Sequence, residues 1–119
     1  MFHAASLRYF MRFFKHLFIG ESIREPDTVK ENLLNSKLQP DIFVISISVS
    51  SDQLDIYDSK YLLQPFWEKE KLLIVGIAGS RDEAIRLVIS ITEKTVRETG
   101  TADIKKYLLS VDSTDCEEA

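Results

Sequence analysis

The sequence predicts an α/β domain in two layers, with a sheet of two or three strands covered by helices. Three observations carry that expectation. The apolar run Leu72-Leu73-Ile74-Val75 passes through Gly76-Ile77-Ala78-Gly79-Ser80 into a long segment with helical spacing, the pattern of a buried strand feeding a helix that lies across it. Over residues 41–49, Phe43, Ile45, Ile47 and Val49 make one wholly apolar face while Ile42, Val44, Ser46 and Ser48 grade from apolar to hydroxyl on the other, which predicts a second strand. Shorter segments before and after repeat the three-four apolar spacing of helices.

Length and composition set the outer limits. At 119 residues the chain matches one domain, expected over 1–110, with an acidic disordered tail over 111–119. A hydrophobic content of 45% beside 29% charged residues excludes a disordered or fibrous chain. The net charge of −4 is unevenly spread. The first twenty residues hold Arg8, Arg12 and Lys15 and no acidic residue, so the body is more acidic than the total and repels phosphate backbones; no nucleic-acid partner is expected. The single cysteine, Cys116, cannot close an internal disulfide. It sits among Asp112, Asp115, Glu117 and Glu118, which disfavour a thiolate, so a reducing compartment and an inert thiol are expected.

Residues 5–19 read as a basic amphipathic helix. Leu7, Phe10, Phe14, Leu17 and Phe18 share one face, the cations lie on the other, and Gly20 would stop it. The cations interrupt every window long enough for a secretory signal or a membrane span. A membrane-surface helix and a transit peptide remain alternatives to docking on the core.

A second helix is expected over 27–36, with Pro26 near its first turn and Thr28 and Glu31 spaced as a capping box. Pro40 blocks any continuation. Strands follow at about 41–49 and 71–77, and the order of the two allows either parallel or antiparallel pairing. Between them, Leu54-Asp55-Ile56-Tyr57 could form a short edge strand, and Ser59 could cap a helical turn before Pro65. The long helix, 81–98, opens with a capping box of Ser80 and Glu83 and ends at Gly100; a final helix spans about 102–109.

The long helix is apolar over more than one neighbour requires. Ala84, Leu87, Val88 and Ile91 form one stripe; Ile85, Ile89 and Val96 form a second. The sheet takes the first, and the phenylalanines of 5–19 are the expected cover for the second.

Catalytic motifs are missing. The chain has no phosphate-binding loop, dinucleotide fingerprint, His-Glu-x-x-His helix or cysteine pair, and only His3 and His16 could serve a metal or a triad, so neither a metal nor another cofactor is expected. Asp55 and Asp58 are paired carboxylates without a second feature to raise them to acid–base work. Two weak sites stand out. Gly76, Gly79 and Ser80 shape a turn at a helix N-terminus that could hold an anion or small ligand, although Asp82 and Glu83 compete for the same positive end. Tyr57, Tyr61, Phe66 and Trp67 concentrate aromatic surface that could contact a partner or simply edge the core.

The stretch from Leu54 through Leu63-Gln64-Pro65-Phe66-Trp67 to Val75-Gly76-Ile77-Ala78-Gly79 and Glu83-Ala84, with Phe18-Ile19-Gly20-Glu21-Ser22-Ile23 upstream, resembles a family of short uncharacterised bacterial proteins. The resemblance covers most of the chain. It implies a bacterial, cytoplasmic setting, in which a transit peptide has no place, and it contributes no catalytic residue. A sheet this small leaves edges that native proteins cover or pair. The expected role is therefore a non-enzymatic module, completed by a partner protein or a second copy at a sheet edge or an apolar helix face.

Overall fold

The computed structural model describes residues 11–35, 37–48, 53–63 and 72–118. Along the chain these form β1 (Met11–Ile19), α1 (Pro26–Leu34), β2 (Phe43–Ser48), β3 (Asp55–Asp58), a 3-10 turn (Ser59–Leu63), β4 (Leu72–Ala78), α2 (Arg81–Thr99) and α3 (Ile104–Glu118). The four strands make one mixed sheet in the order β1-β4-β2-β3. This is the expected α/β architecture, with one strand more at its edge.

That strand is β1, and it corrects the reading of 5–19 as a helix: residues 11–19 pair parallel to β4, and residues 5–10 lie outside the described set. The spacing misleads because Phe14 and Phe18, four apart, share a face in a helix and in a strand alike. The strand solution buries both faces. Phe14 and Phe18 enter one core, and Phe13 and Leu17 the other. Arg12, Lys15 and His16 are exposed along this edge, where charge discourages further pairing.

The two strongly predicted strands are antiparallel neighbours, running from Phe43 opposite Ala78 to Ser48 opposite Leu72. Their register shifts between Ile45–Gly76 and Ser46–Ile74, so Val75 is an extra residue without its own partner. This bulge reverses the alternation of β4, which is why Leu73, Val75 and Ala78 face one core while Ile74 and Ile77 face the other. On β1 the excess is larger, because the stretch Phe13–Phe18 lies opposite only Ile74–Gly76. Both irregularities meet at Gly76. A Cβ there would sit 3.1 Å from the Phe18 carbonyl oxygen and 3.1 Å from Ile45 Cδ1, so the approach of β1 leaves little room for a side chain.

On one face of the sheet, Phe14, Ile45, Ile47, Leu73, Val75 and Ala78 pack against Ala84 and Ile91 of α2 and Leu108 of α3. On the other, Val44, Ile74 and Ile77 meet Leu33 of α1, with Val29, Phe13, Leu17 and Tyr57 around them. Lys30 Nζ lies 5.4 Å above the Phe13 ring and extends this second cover.

The helix ends follow local chemistry. Pro26 occupies the first turn of α1, so Thr28 already lies inside the helix; the expected Thr28–Glu31 capping box is replaced by a Thr28 Oγ1 to Glu25 Oε1 hydrogen bond of 3.3 Å. Asp58, rather than Ser59, caps the 3-10 turn, accepting from Lys60 N at 3.1 Å, while the Ser59 hydroxyl donates to Gln39 O. Gly100 ends α2 in the left-handed region at φ 79°, its N–H donating to Val96 O at 2.8 Å. Asp103 Oδ1 accepts from Lys106 N to open α3. That helix runs beyond the expected end at Leu109, and Val111 extends the apolar face of Ile104, Tyr107 and Leu108.

Candidate functional site

The glycine turn between β4 and α2 holds an anion, but the anion belongs to the protein. Ser80 is the N-cap of α2, and its hydroxyl accepts from Glu83 N at 3.1 Å, as the capping box predicts. The returning half of the box goes elsewhere. Glu83 Oε1 accepts from Gly79 N at 2.7 Å and from Ser22 Oγ at 2.7 Å, and Oε2 accepts from Ser22 N at 3.0 Å. Glu83 is buried to 8% exposure and so ties the loop after β1 to the start of α2.

The glycines around this carboxylate follow from its position. A Cβ on Gly20 would overlap Glu83 Oε1, and one on Gly79 would overlap Ser22 Oγ. Gly20, expected to stop a helix, instead closes against β4 by donating to Ile77 O at 2.9 Å. The Gly79 N–H holds the Glu83 carboxyl below the usual carboxylate range; burial opposes this, and Ser22 and the Arg86 charge add to it.

At the expected ligand turn, the named groups already have partners within the chain. Gly76 is walled into the sheet, the Gly79 N–H is held by Glu83, and the Ser80 hydroxyl caps α2. Both the Gly79 N–H and the Ser80 hydroxyl thus serve the fold.

Of the four aromatic residues singled out, two are described, and they lie apart. Tyr57 packs into the core beneath α1, whereas Tyr61 is exposed on the 3-10 turn with Lys60 Nζ 5.9 Å from its ring centroid. Phe66 and Trp67 lie outside the described residues.

A cleft of about 310 Å³ opens between β1 and α3, walled by Phe14, Phe18, Tyr107 and Leu108, with His16 and Lys94 as its ionisable groups. Phe14 stacks on Phe18 at 6.1 Å and meets His16 edge-on at 6.2 Å. The lining brings no pair of carboxylates together for acid–base chemistry. Among the described residues, no group of three or more His, Cys, Asp or Glu side chains converges as a metal site would require, and no helix is long and apolar enough to cross a membrane.

The second stripe of α2 remains open. Ile85, Ile89 and Val96 are 40%, 52% and 45% exposed. Of the phenylalanines expected to cover them, Phe13, Phe14 and Phe18 lie in β1 instead, where Phe14 and Phe18 join the core beneath the first stripe; Phe10 lies outside the described residues. At about 100° per residue, Thr92 falls among the three exposed side chains. Its hydroxyl donates to Val88 O at 2.8 Å, so the group that would resist burial is already paired within the helix. Lys94, toward α3, lies on the opposite side of the helix from this stripe. Sequence periodicity found the stripe; only the sheet order shows it uncovered.

No protein family, curated protein or solved structure matches this chain.

Proposed function

We propose that this protein is a non-enzymatic interaction module that associates through the outward face of α2. The open stripe of Ile85, Ile89 and Val96 carries the reading. Large apolar side chains aligned over three turns on one exposed face mark a contact surface more often than an ordinary solvent face.

The sheet edges favour this face by default. On β1, Arg12, Lys15 and His16 are exposed along the strand. On β3, only four residues are available, and Asp55 and Asp58 stand at its two ends. Antiparallel pairing of β3 with a copy of itself would set Asp55 against Asp58, a repulsive arrangement. The membrane-surface alternative loses its helix, since residues 11–19 are a strand. A bacterial, cytoplasmic setting belongs to the same proposal, and a single cysteine, which cannot close an internal disulfide, is in keeping with a reducing compartment.

Light scattering of the full chain across 5–200 micromolar, beside its Ile89→Asp variant, tests the proposal. The expected result is a mass above one chain that falls to one chain in the variant. A monomer at every concentration, with no binding protein whose affinity depends on Ile89, would overturn it.

A further inference from the structure

We infer that the occupant of the α2 stripe is a second copy of this chain, lying antiparallel across a two-fold axis so that Arg86 of each copy meets Glu93 of the other. This rests on the association reading above and specifies its partner. Ile85, Ile89, Thr92 and Val96 are spaced four, three and four residues apart, the seam along which two helices interlock. In an antiparallel pair of identical helices, this spacing sets Ile85 against Val96 of the other copy and Ile89 against Thr92. The four layers share one centre, between Ser90 and Ile91.

The charges beside the seam agree with that centre. Arg86 and Glu93 each follow a seam residue directly, Ile85 and Thr92, so they lie on one flank one heptad apart and with opposite sign. A two-fold axis turns that single opposition into two attractive contacts, one at each end. In a parallel pair of the same helices, the flank of Arg86 and Glu93 would instead face the flank of Val88 and Thr95, and neither charge would meet its opposite. On the other flank the equivalent positions are Val88, half-buried, and Thr95, fully buried in the chain's own core, so no charge there opposes the approach.

The seam also bounds the affinity. From Ile85 to Val96 it runs about 16 Å along the axis, which buries less than the roughly 800 Å² per partner of a standard interface. A dimer in the micromolar range is expected.

Sedimentation equilibrium of the full chain tests the pairing, using Arg86→Glu, Glu93→Arg and the double variant, with circular dichroism confirming that each is folded. Either single reversal replaces two attractions with two repulsions and should weaken the dimer about tenfold. The double variant restores both pairs and should return to within about threefold of the parent. Failure of the double variant to recover would overturn the antiparallel pairing even if the chain dimerises. A chain that is monomeric throughout, yet binds another protein in an Ile89-dependent way, would overturn the second copy and leave the interaction module standing. A monomer without such binding removes both.

Discussion

Replacing Glu83 by Gln tests whether a buried carboxylate holds two distant turns together. Three donors converge on its two oxygens: Gly79 N, Ser22 Oγ and Ser22 N. The amide of glutamine keeps one accepting oxygen. Its best orientation leaves that oxygen with Gly79 N and Ser22 Oγ, and turns an NH₂ group toward Ser22 N, donor against donor. The two remaining bonds lose their charge, which separates hydrogen bonds worth about 1.5–3 kcal/mol from those worth about 0.5–1.5 kcal/mol. Ser22 is exposed enough for water to reach its freed N–H, so the total is placed at about 2 kcal/mol rather than the sum of all three.

Urea denaturation followed by circular dichroism measures that loss. Its pH dependence identifies the cause. The Glu83 carboxyl is held below its ordinary value in the folded state, chiefly by the Gly79 N–H. It therefore contributes stability that is fully present above the unfolded-state value and is lost as pH falls through the folded one. The gap between parent and Glu83→Gln should be full near pH 7 and shrink below about pH 4. A gap under about 0.5 kcal/mol at neutral pH, or one that persists unchanged into acid, would refute the role given to this carboxylate.

Three further substitutions probe the scaffold. Phe14→Ala should cost about 3–4 kcal/mol in the same denaturation assay, because Phe14 is 3% exposed within the larger core; a loss below about 1 kcal/mol would contradict β1 as a core strand. Ser46→Ala should be neutral or stabilise by up to about 1 kcal/mol, since its hydroxyl is fully buried without a hydrogen-bond partner; clear destabilisation would show that the hydroxyl is satisfied. Gly100→Ala should cost about 1 kcal/mol from backbone conformation alone, as φ is 79° and an added Cβ meets no atom within 4 Å; an unchanged midpoint would argue against the left-handed cap.

The strands at 43–48 and 72–78 and the long helix with its two caps were legible because each carries its pattern in consecutive residues, whereas the edge strand at 55–58 was one of several readings open for its stretch. Residues 11–19 were not. A strand covered on both faces is apolar at adjacent positions, as in Phe13-Phe14 and Leu17-Phe18, and a broad helical face produces the same doublets. The absence of alanine and glutamate from that stretch and its phenylalanine content were the available hints of a strand. Glu83 was legible as a cap, but its attachment to Ser22 spans 61 residues and leaves no local pattern. The bulge at Val75 was equally hidden, since only pairing with Ile45 and Ser46 reveals the extra residue. The α2 stripe was visible as a helical period. Whether anything covered it depended on where the N-terminal phenylalanines go, which is a question of topology.

The parallel partnership of β1 and β4 also orders events during synthesis. The first described strand pairs with the last, and with no other strand in the sheet, so it has no strand to join until the ribosome has delivered Leu72–Ala78. Throughout that interval a phenylalanine-rich segment lacks its sheet partner, and Arg12 and Lys15 within it act as gatekeeper charges against self-association. The Ser22–Glu83 latch has the same dependence, since it cannot close until the chain has been made as far as the first turn of α2.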